Sequence, residues 1–319
     1  MLKSLTKLAI TCITIFQISW AGASSIVPIE IVTGVSPGSG VDLVARYLAQ
    51  ELSTSLNTAV TVKNKPGGGQ SIAADMVARS SPKPLTLLFA TQTFATNPSV
   101  LQKLPYDSKK DFRPIAFIGQ LQYVIFVNSQ LPVADLREFI DLVKNNPGRY
   151  NYGSAGPSSL PRLAAEHFKK IVGLDIVHVP FKSASPAVLS LGQGEIQLWI
   201  ANFFTVNNLI KSQRVKPLAV SGTQRLKSHP DLPTVAEYGV NGYDYSSWYA
   251  VLANQHISPS TQQLLNTEIN KIVSSHDMQE LLVRSGATAG PVMTPSELDA
   301  FIDSEMQKYQ TIVSSINIK

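Results

Sequence analysis

The stretch Ile29-Glu30-Ile31-Val32-Thr33-Gly34-Val35-Ser36-Pro37-Gly38-Ser39-Gly40-Val41-Asp42 decides how the rest of the chain is read. It opens apolar and β-prone, breaks into Gly, Ser and Pro, and then turns helical, with Val41, Leu43, Val44, Tyr47 and Leu48 at roughly helical spacing. The pattern is strand, glycine-rich loop, helix start. Such a loop leaves backbone N–H groups bare at the positive end of a helix dipole, a ready anion site. Its glycines let the backbone approach a ligand without a Cβ in the way. The alternative is a plain tight turn between a strand and a helix of an α/β domain.

Working outward, the same grammar recurs. Val60–Val62 reads as a second strand. It runs into the loop Asn64-Lys65-Pro66-Gly67-Gly68-Gly69-Gln70-Ser71 and a helix from Ile72 to Ser80. Leu85–Ala90 is an apolar third strand ending in the polar loop Thr91-Gln92-Thr93. Strands alternating with helices predict a parallel sheet with covering helices, and ligands of such sheets sit at the carboxyl ends of the strands, where these three loops fall. The β-rich runs Ile115–Ile118 and Tyr123–Val127 have no long helix between them and mark a crossover into a second lobe.

That lobe repeats the architecture. A helix is expected over Val133 to Lys144, a strand at Tyr150–Gly153, then the small-residue loop Ser154-Ala155-Gly156-Pro157-Ser158-Ser159 feeding a helix from Pro161 to Val172. Strands follow at Ile176–Val179, Ile196–Ile200 and Leu218–Val220, with a short helix from Pro186 to Leu191. After Gly222 come a proline-punctuated loop, a strand at Trp248–Leu252, helices from Ser258 to about Ser274 and over Asp277–Arg284, and a last helix opening at Thr294-Pro295-Ser296-Glu297. The expectation is a hinged α/β protein of two lobes, residues 24–121 with 223–319 and residues 122–222, with a ligand cleft between them.

Length and composition bound the function. The chain has 319 residues, 44% of them hydrophobic. Residues 1–23 read as a signal peptide: Lys3 and Lys7 precede an apolar run from Leu8 to Trp20, and Ala21-Gly22-Ala23 is an A-x-A cleavage site. The run is about 13 residues, short of the ~20 needed to span a bilayer. Cleavage after Ala23 leaves 296 residues and takes the formal charge from +5 to +3. The basic residues form no block with interleaved aromatics, so no nucleic acid is expected. The one cysteine, Cys12, falls in the leader, so the mature chain has neither disulfide nor thiol nucleophile, and no lipid anchor is expected.

Catalytic readings fail on chemistry. Gly34-Val35-Ser36-Pro37-Gly38 matches the G-x-S-x-G nucleophile elbow, but the residue after the serine is Pro37, which has no N–H for an oxyanion hole. The histidines His167, His178, His229, His256 and His276 show no metal-ligand spacing, and neither glycine loop fits a phosphate-binding motif. No metal, no cofactor and no enzyme activity is expected. Four side chains keep two readings each. Asp42 either meets a ligand's ammonium group or stabilises the helix start. Arg162 either forks onto a carboxylate or pairs at the surface. Phe181 and Trp199 either pack a ligand body or belong to the core. His178, alternating with Val177 and Val179, reads as structural.

The order and spacing of a set of short marks resemble a known family. They are Pro28-Ile29 through Asp42-Leu43-Val44-Ala45-Arg46; Asn64-Lys65-Pro66-Gly67-Gly68-Gly69; Asn97-Pro98 before Leu104-Pro105-Tyr106-Asp107; Asp111-Phe112; Asn151-Tyr152-Gly153-Ser154-Ala155-Gly156; His178-Val179-Pro180-Phe181-Lys182; Leu191-Gly192-Gln193-Gly194; and Pro233-Thr234-Val235-Ala236-Glu237. Over nearly the whole mature chain the sequence resembles the Bug-type extracytoplasmic solute receptors, the substrate-binding proteins of tripartite tricarboxylate transporters. The resemblance implies a type II-like two-lobed periplasmic binding protein, each lobe a mixed, mostly parallel sheet covered by helices. It implies a monomer in the periplasm that holds a small carboxylate between its lobes and hands it to membrane subunits. A sensor feeding a two-component kinase is the alternative. It further implies a pincer of two helix N-termini, falling on Val35, Ser36, Gly38, Ser39 and Gly40 in one lobe and on Ser154, Ala155, Gly156, Ser158 and Ser159 in the other. Thr91, Gln92, Thr93, Ala201 and Asn202 would add side chains. The sequence departs from the family at Gly34-Val35, where a proline and a large aromatic are usual; at Ser36 and Ser39, in place of a proline and a glycine; at Arg162, where a histidine is common; and at Ala201, often an aspartate. The pocket is therefore expected to be roomier at Val35 and less acidic at Ala201.

Overall fold

The computed structural model describes residues 27–81, 83–156, 159–226 and 228–316. The signal peptide expected over residues 1–23 lies outside the described residues. The chain first lays down β1 (Ile29–Thr33), α1 (Gly40–Leu56), β2 (Val60–Asn64), α2 (Ser71–Ala78), β3 (Leu85–Thr91), α3 (Thr93–Val100) and β4 (Phe112–Gln122). It then crosses into β5 (Val124–Asn128), α4 (Leu136–Lys144), β6 (Asn151–Ser154), α5 (Leu160–Val172), β7 (Val177–Pro180), α6 (Ala184–Gln193), β8 (Leu198–Ala201), α7 (Phe203–Lys211) and β9 (Val215–Val220). It returns through β10 (Ser246–Asn254), α8 (Pro259–Val273), α9 (His276–Arg284), β11 (Thr288–Ala289) and α10 (Pro295–Ser315).

Two sheets result. The first runs β11-β4-β10-β3-β1-β2, with β1 parallel to β2 and β3, and β10 antiparallel to β3 and β4. The second runs β7-β6-β8-β5-β9, with β6 parallel to β7 and β8, and β5 antiparallel to β8 and β9. Every residue of β3 is buried, as a strand covered by helices on both faces must be. Alternate residues feed different cores: Leu87 and Phe89 pack with α1 and α8, whereas Leu88 and Ala90 pack on the opposite face. The second of these cores runs on into the other lobe through Tyr243 and Tyr245, whose hydroxyls donate to Ala164 O and Leu163 O of α5 at 3.1 and 3.2 Å.

The expected strands and long helices are present, and the differences have local causes. α3 occupies Thr93–Val100, where the sequence suggests only a polar loop. Its sequence carries Asn97 and Pro98 and no amphipathic stripe; tertiary contacts hold it instead, with the Phe94 ring edge-on to Phe112 at 5.0 Å and Asn97 Nδ2 donating to Gly69 O at 2.9 Å. α7 was likewise without a sequence signal; the Asn202 side chain caps it, Oδ1 accepting from Thr205 N at 2.9 Å. α4 starts at Leu136, not Val133, because Asp135 caps it by accepting from Glu138 N at 2.9 Å. β11 is a two-residue edge strand with no periodicity to reveal it.

Candidate functional site

At the carboxyl end of β1 the chain must turn within a few residues into α1. Gly38 takes φ +78°, Ser39 caps the helix, and its Oγ accepts from Asp42 N at 3.3 Å. The Asp42 carboxylate, almost fully buried, turns back into the protein: Oδ2 accepts from Gly38 N at 2.8 Å and Arg46 Nε at 2.9 Å, and Oδ1 from Asn64 Nδ2 at 2.7 Å. Burial raises its pKa, but the bonds from Arg46, Asn64 and Gly38 and the Arg46 charge outweigh that and hold the carboxyl below its ordinary range. Asn64 Nδ2 also donates to Val35 O at 3.1 Å, so this clasp sets the loop that presents Val35.

The second glycine loop packs against the first. A Cβ at Gly34 would lie 2.4 Å from Gln70 Cβ, so only glycine fits there. Gln70, itself at φ +69°, sends Nε2 to Thr91 Oγ1 at 2.8 Å, and Thr91 and Thr93 share a hydroxyl bond of 2.8 Å.

In the other lobe Ser154 Oγ bonds His178 Nε2 at 2.7 Å, and the His178 ring stacks on Tyr152 at 4.8 Å. Tyr152 also donates to Glu166, and the Arg162 charge acts on both Tyr152 and His178. Burial, with the Arg162 charge next, lowers the His178 pKa, so it stays neutral at pH 7. Ser159 opens α5 with its hydroxyl donating to Gly156 O at 2.8 Å.

These elements surround a cleft of about 350 Å³ between the two sheets. Val35, Thr91, Gln92 and Thr93 line it from the first lobe, and Ala155, Ser159, Ala201 and Asn202 from the second, all expected positions. Ser36, Gly38, Ser39, Gly40, Ser154 and Gly156 are not among the lining residues. Asp42, Arg162 and Phe181 are also outside the lining: Asp42 is held in its clasp, Arg162 turns to Tyr152, and Phe181 packs on the core around Trp199. Ser158 lies outside the described residues. Sequence reasoning missed Val41, Gln70, Leu121, Tyr123, Leu160, Pro161, Ala184, Thr205, Ser247 and Tyr249 as lining residues. Gln70 follows a quoted glycine loop and was within reach; the floor residues Leu121, Tyr123, Ser247 and Tyr249 come together only when β10 inserts between β3 and β4.

The electrostatics are one-sided. First-turn or cap residues of five helices line the cleft: Val41 of α1, Gln92 and Thr93 of α3, Ser159 and Leu160 of α5, Ala184 of α6, and Asn202 and Thr205 of α7. Each brings the positive end of a helix dipole. No side-chain bond caps α3, α5 or α6. No charged side chain lines the cleft among the described residues. Tyr123 is pushed up to about 12 by burial, against a bond from Ser247, so its hydroxyl is a neutral donor. No group of three His, Cys, Asp or Glu among the described residues could hold a metal. At the rim α7 reaches the other lobe: Cβ atoms added at Gly286 and Gly40 would lie 3.3 and 3.8 Å from Phe204.

Two helix-covered mixed sheets, a cleft between them and helix N-termini converging from both sides define a two-lobed periplasmic binding protein. Residues 44–318 match the family described as TctC, tripartite tricarboxylate transporter family receptor, and the chain belongs to that family, whose receptors are periplasmic solute-binding proteins rather than enzymes. It is 31% identical to the protein BugT of Bordetella pertussis over 295 residues, 92% of this chain and 90% of that protein. A solved structure described as a periplasmic transporter is 32% identical, with a TM-score of 0.82, covering 92% of this chain and 98% of that one. The R. palustris protein Rpa4515, solved with adipate, is 27% identical with a TM-score of 0.83, covering 91% of this chain and 97% of that one.

Proposed function

We propose that this protein captures a small organic carboxylate between its lobes in the periplasm and delivers it to the membrane subunits of a tripartite tricarboxylate-type transporter. The observation that carries the reading is the convergence of five helix N-termini, from both lobes, on a cleft with no charged lining side chain. An anion there is held by backbone and neutral donors in a water-poor space, where charge-assisted hydrogen bonds are strong. The adipate found in Rpa4515 supports the class of ligand. In this reading no bond is made or broken, and the protein acts as a monomer released by cleavage after Ala23. The lobes divide near 121/122 and 222/223. Supporting that division, the Ser221 hydroxyl lies 2.8 Å from Tyr123 O and 2.5 Å from Tyr245 O, where the crossing segments run side by side.

The test is a thermal-shift screen of protein stripped of carried ligand by refolding, against di- and tricarboxylates, aromatic acids and acidic amino acids. A ligand at a hundred times its Kd stabilises by about 2.7 kcal/mol, which raises Tm by about 4–5 °C in a domain of this size. A saturable shift with one acid class is expected. No shift with any acid overturns the reading.

A further inference from the structure

The first turn of α7 faces two ways. Asn202 and Thr205 line the cleft, and Phe203 turns inward, edge-on to Phe126 at 5.3 Å and stacked on the His229 ring at 3.9 Å. Phe204 leaves that core and is 43% exposed. Its covered side meets the other lobe. A Cβ added at Gly286 would lie 3.3 Å from Phe204 Cβ and 3.5 Å from its N, and one added at Gly40 would lie 3.8 Å from Phe204 Cδ1. Gly40 opens α1 and Gly286 follows the end of α9, and both helices pack on the first sheet. α7 packs on the second, through Val206. Phe204 therefore bridges the lobes at the rim, against backbone that carries no side chain.

The two glycines make that approach possible. Gly286, at φ +79°, follows α9 in the left-handed conformation, so its backbone favours glycine on its own account. Gly40 has no positive φ to demand glycine. What a larger side chain there would meet is Phe204 on one side and Ser285 Cβ, 3.5 Å from an added Cβ, on the other, so there is room for a methyl group and little more. The lobes are also joined through the chain crossings, where Ser221 bonds to Tyr123 O and Tyr245 O. Those crossings are continuous backbone and persist at any angle between the lobes. The Phe204 contact is made only while the lobes are together.

We propose that Phe204 is a rim latch, a positioning residue that closes on Gly40 and Gly286 and sets how long a captured acid stays. This rests on the capture reading above and adds what controls release. Phe204 is not among the lining residues, so it acts through the position of the lobes and not by touching the acid. An acid held at Asn202 and Thr205 fixes the same helical turn that carries Phe204, so filling the cleft draws the ring onto the opposite lobe. The acid enters while the lobes are apart and the contact is unmade, and it leaves only after the contact breaks. The latch therefore acts on the dissociation rate and not on the association rate.

The experiment is stopped-flow tryptophan fluorescence of refolded protein, read through Trp199 in the cleft wall, with succinate, adipate, citrate and benzoate each as the probe. For an acid that binds, Phe204→Ala is expected to raise the dissociation rate about tenfold, the scale of baring part of one aromatic ring, and to leave the association rate within about twofold. Phe204→Leu, which keeps apolar bulk, recovers most of the slow release. Gly40→Leu pushes into the ring and also speeds release. Combined with Phe204→Ala, where the leucine takes the vacated space, it releases the acid more slowly than either single variant. An unchanged dissociation rate in both Phe204→Ala and Phe204→Leu overturns the latch, as do strictly additive effects of Gly40→Leu and Phe204→Ala or a loss of affinity carried wholly by the association rate. Each of these leaves carboxylate capture standing. Wild-type protein that binds none of the four acids overturns the latch together with the function it rests on.

Discussion

Replacing Asp42 by alanine separates two roles that the sequence leaves open for it. In the structure the carboxylate is a clasp. It accepts from the Gly38 N–H, from Asn64 and from Arg46, and through Asn64 it fixes the Val35 carbonyl. Asp42→Ala leaves the Gly38 N–H and the Asn64 amide without an anionic partner, at roughly 1–1.5 kcal/mol each. The Arg46 side chain is 49% exposed and returns to water, so its ion pair adds only about 0.5 kcal/mol. Loss of a negative charge from the first turn of α1 adds about 0.5 kcal/mol. The total is about 3–4 kcal/mol. With an unfolding entropy of roughly 2.1 cal/mol/K per residue over some 290 residues, that is a fall in Tm of about 5–6 °C at pH 7, read by calorimetry or circular dichroism. The pH dependence gives a second check. Because the folded-state pKa lies below its ordinary value of 3.8, the stabilisation is complete above that value and is lost as pH falls through the lower folded-state one. The Tm gap between wild type and Asp42→Ala therefore narrows in that acid range. A Tm within 1 °C of wild type at pH 7, with ligand affinity abolished, would show Asp42 to be a ligand contact and refute the clasp.

Three further outcomes follow from the same geometry. Gly34→Ala drives a methyl group to within 2.4 Å of Gln70 Cβ and 2.8 Å of its Cα, so the two loops separate; a cost of about 1–3 kcal/mol in urea unfolding and at least tenfold weaker ligand binding are expected, and wild-type values in both assays would sink the argument. Trp248→Phe removes the bond to Glu305 and part of a fully packed ring, costing about 2–3 kcal/mol in the same assay; a change under about 0.5 kcal/mol would contradict it. His178 is held neutral mainly by burial, so the unfolded chain takes up the proton more readily and stability falls as pH drops below the ordinary value of 6.5. His178→Gln flattens part of that fall, only part because burial lowers His167 and His229 in the same direction; superimposable Tm–pH curves for the two proteins would count against it.

How much was legible in the chain depends on the range of the forces involved. Strand, turn and helix at Ile29–Asp42 are dictated locally: β-branched residues alternate, glycine and proline break the run, and a serine and an aspartate start the helix. The loop at Ser154 and the capping box at Thr294 and Glu297 were readable for the same reason. Elements held by contacts distant in sequence were not. α3 contains Pro98 and depends on Phe112 and Gly69, and one of the two strands beside β3 in the first sheet is β10, roughly 160 residues further along the chain.

For the site, the residue types alone determined that small, uncharged loops end the strands and that Asp42 begins a helix. Which of those loops share a space, and which donors in it go unpaired, only the tertiary structure decided. A hydrogen bond is satisfied or orphaned by where its neighbours end up, and nothing in the runs around Gln92 and Trp199 distinguishes their N–H groups from that of Trp248, which finds Glu305 on α10. That difference is made when two sheets close on one another and not by any stretch of sequence read alone.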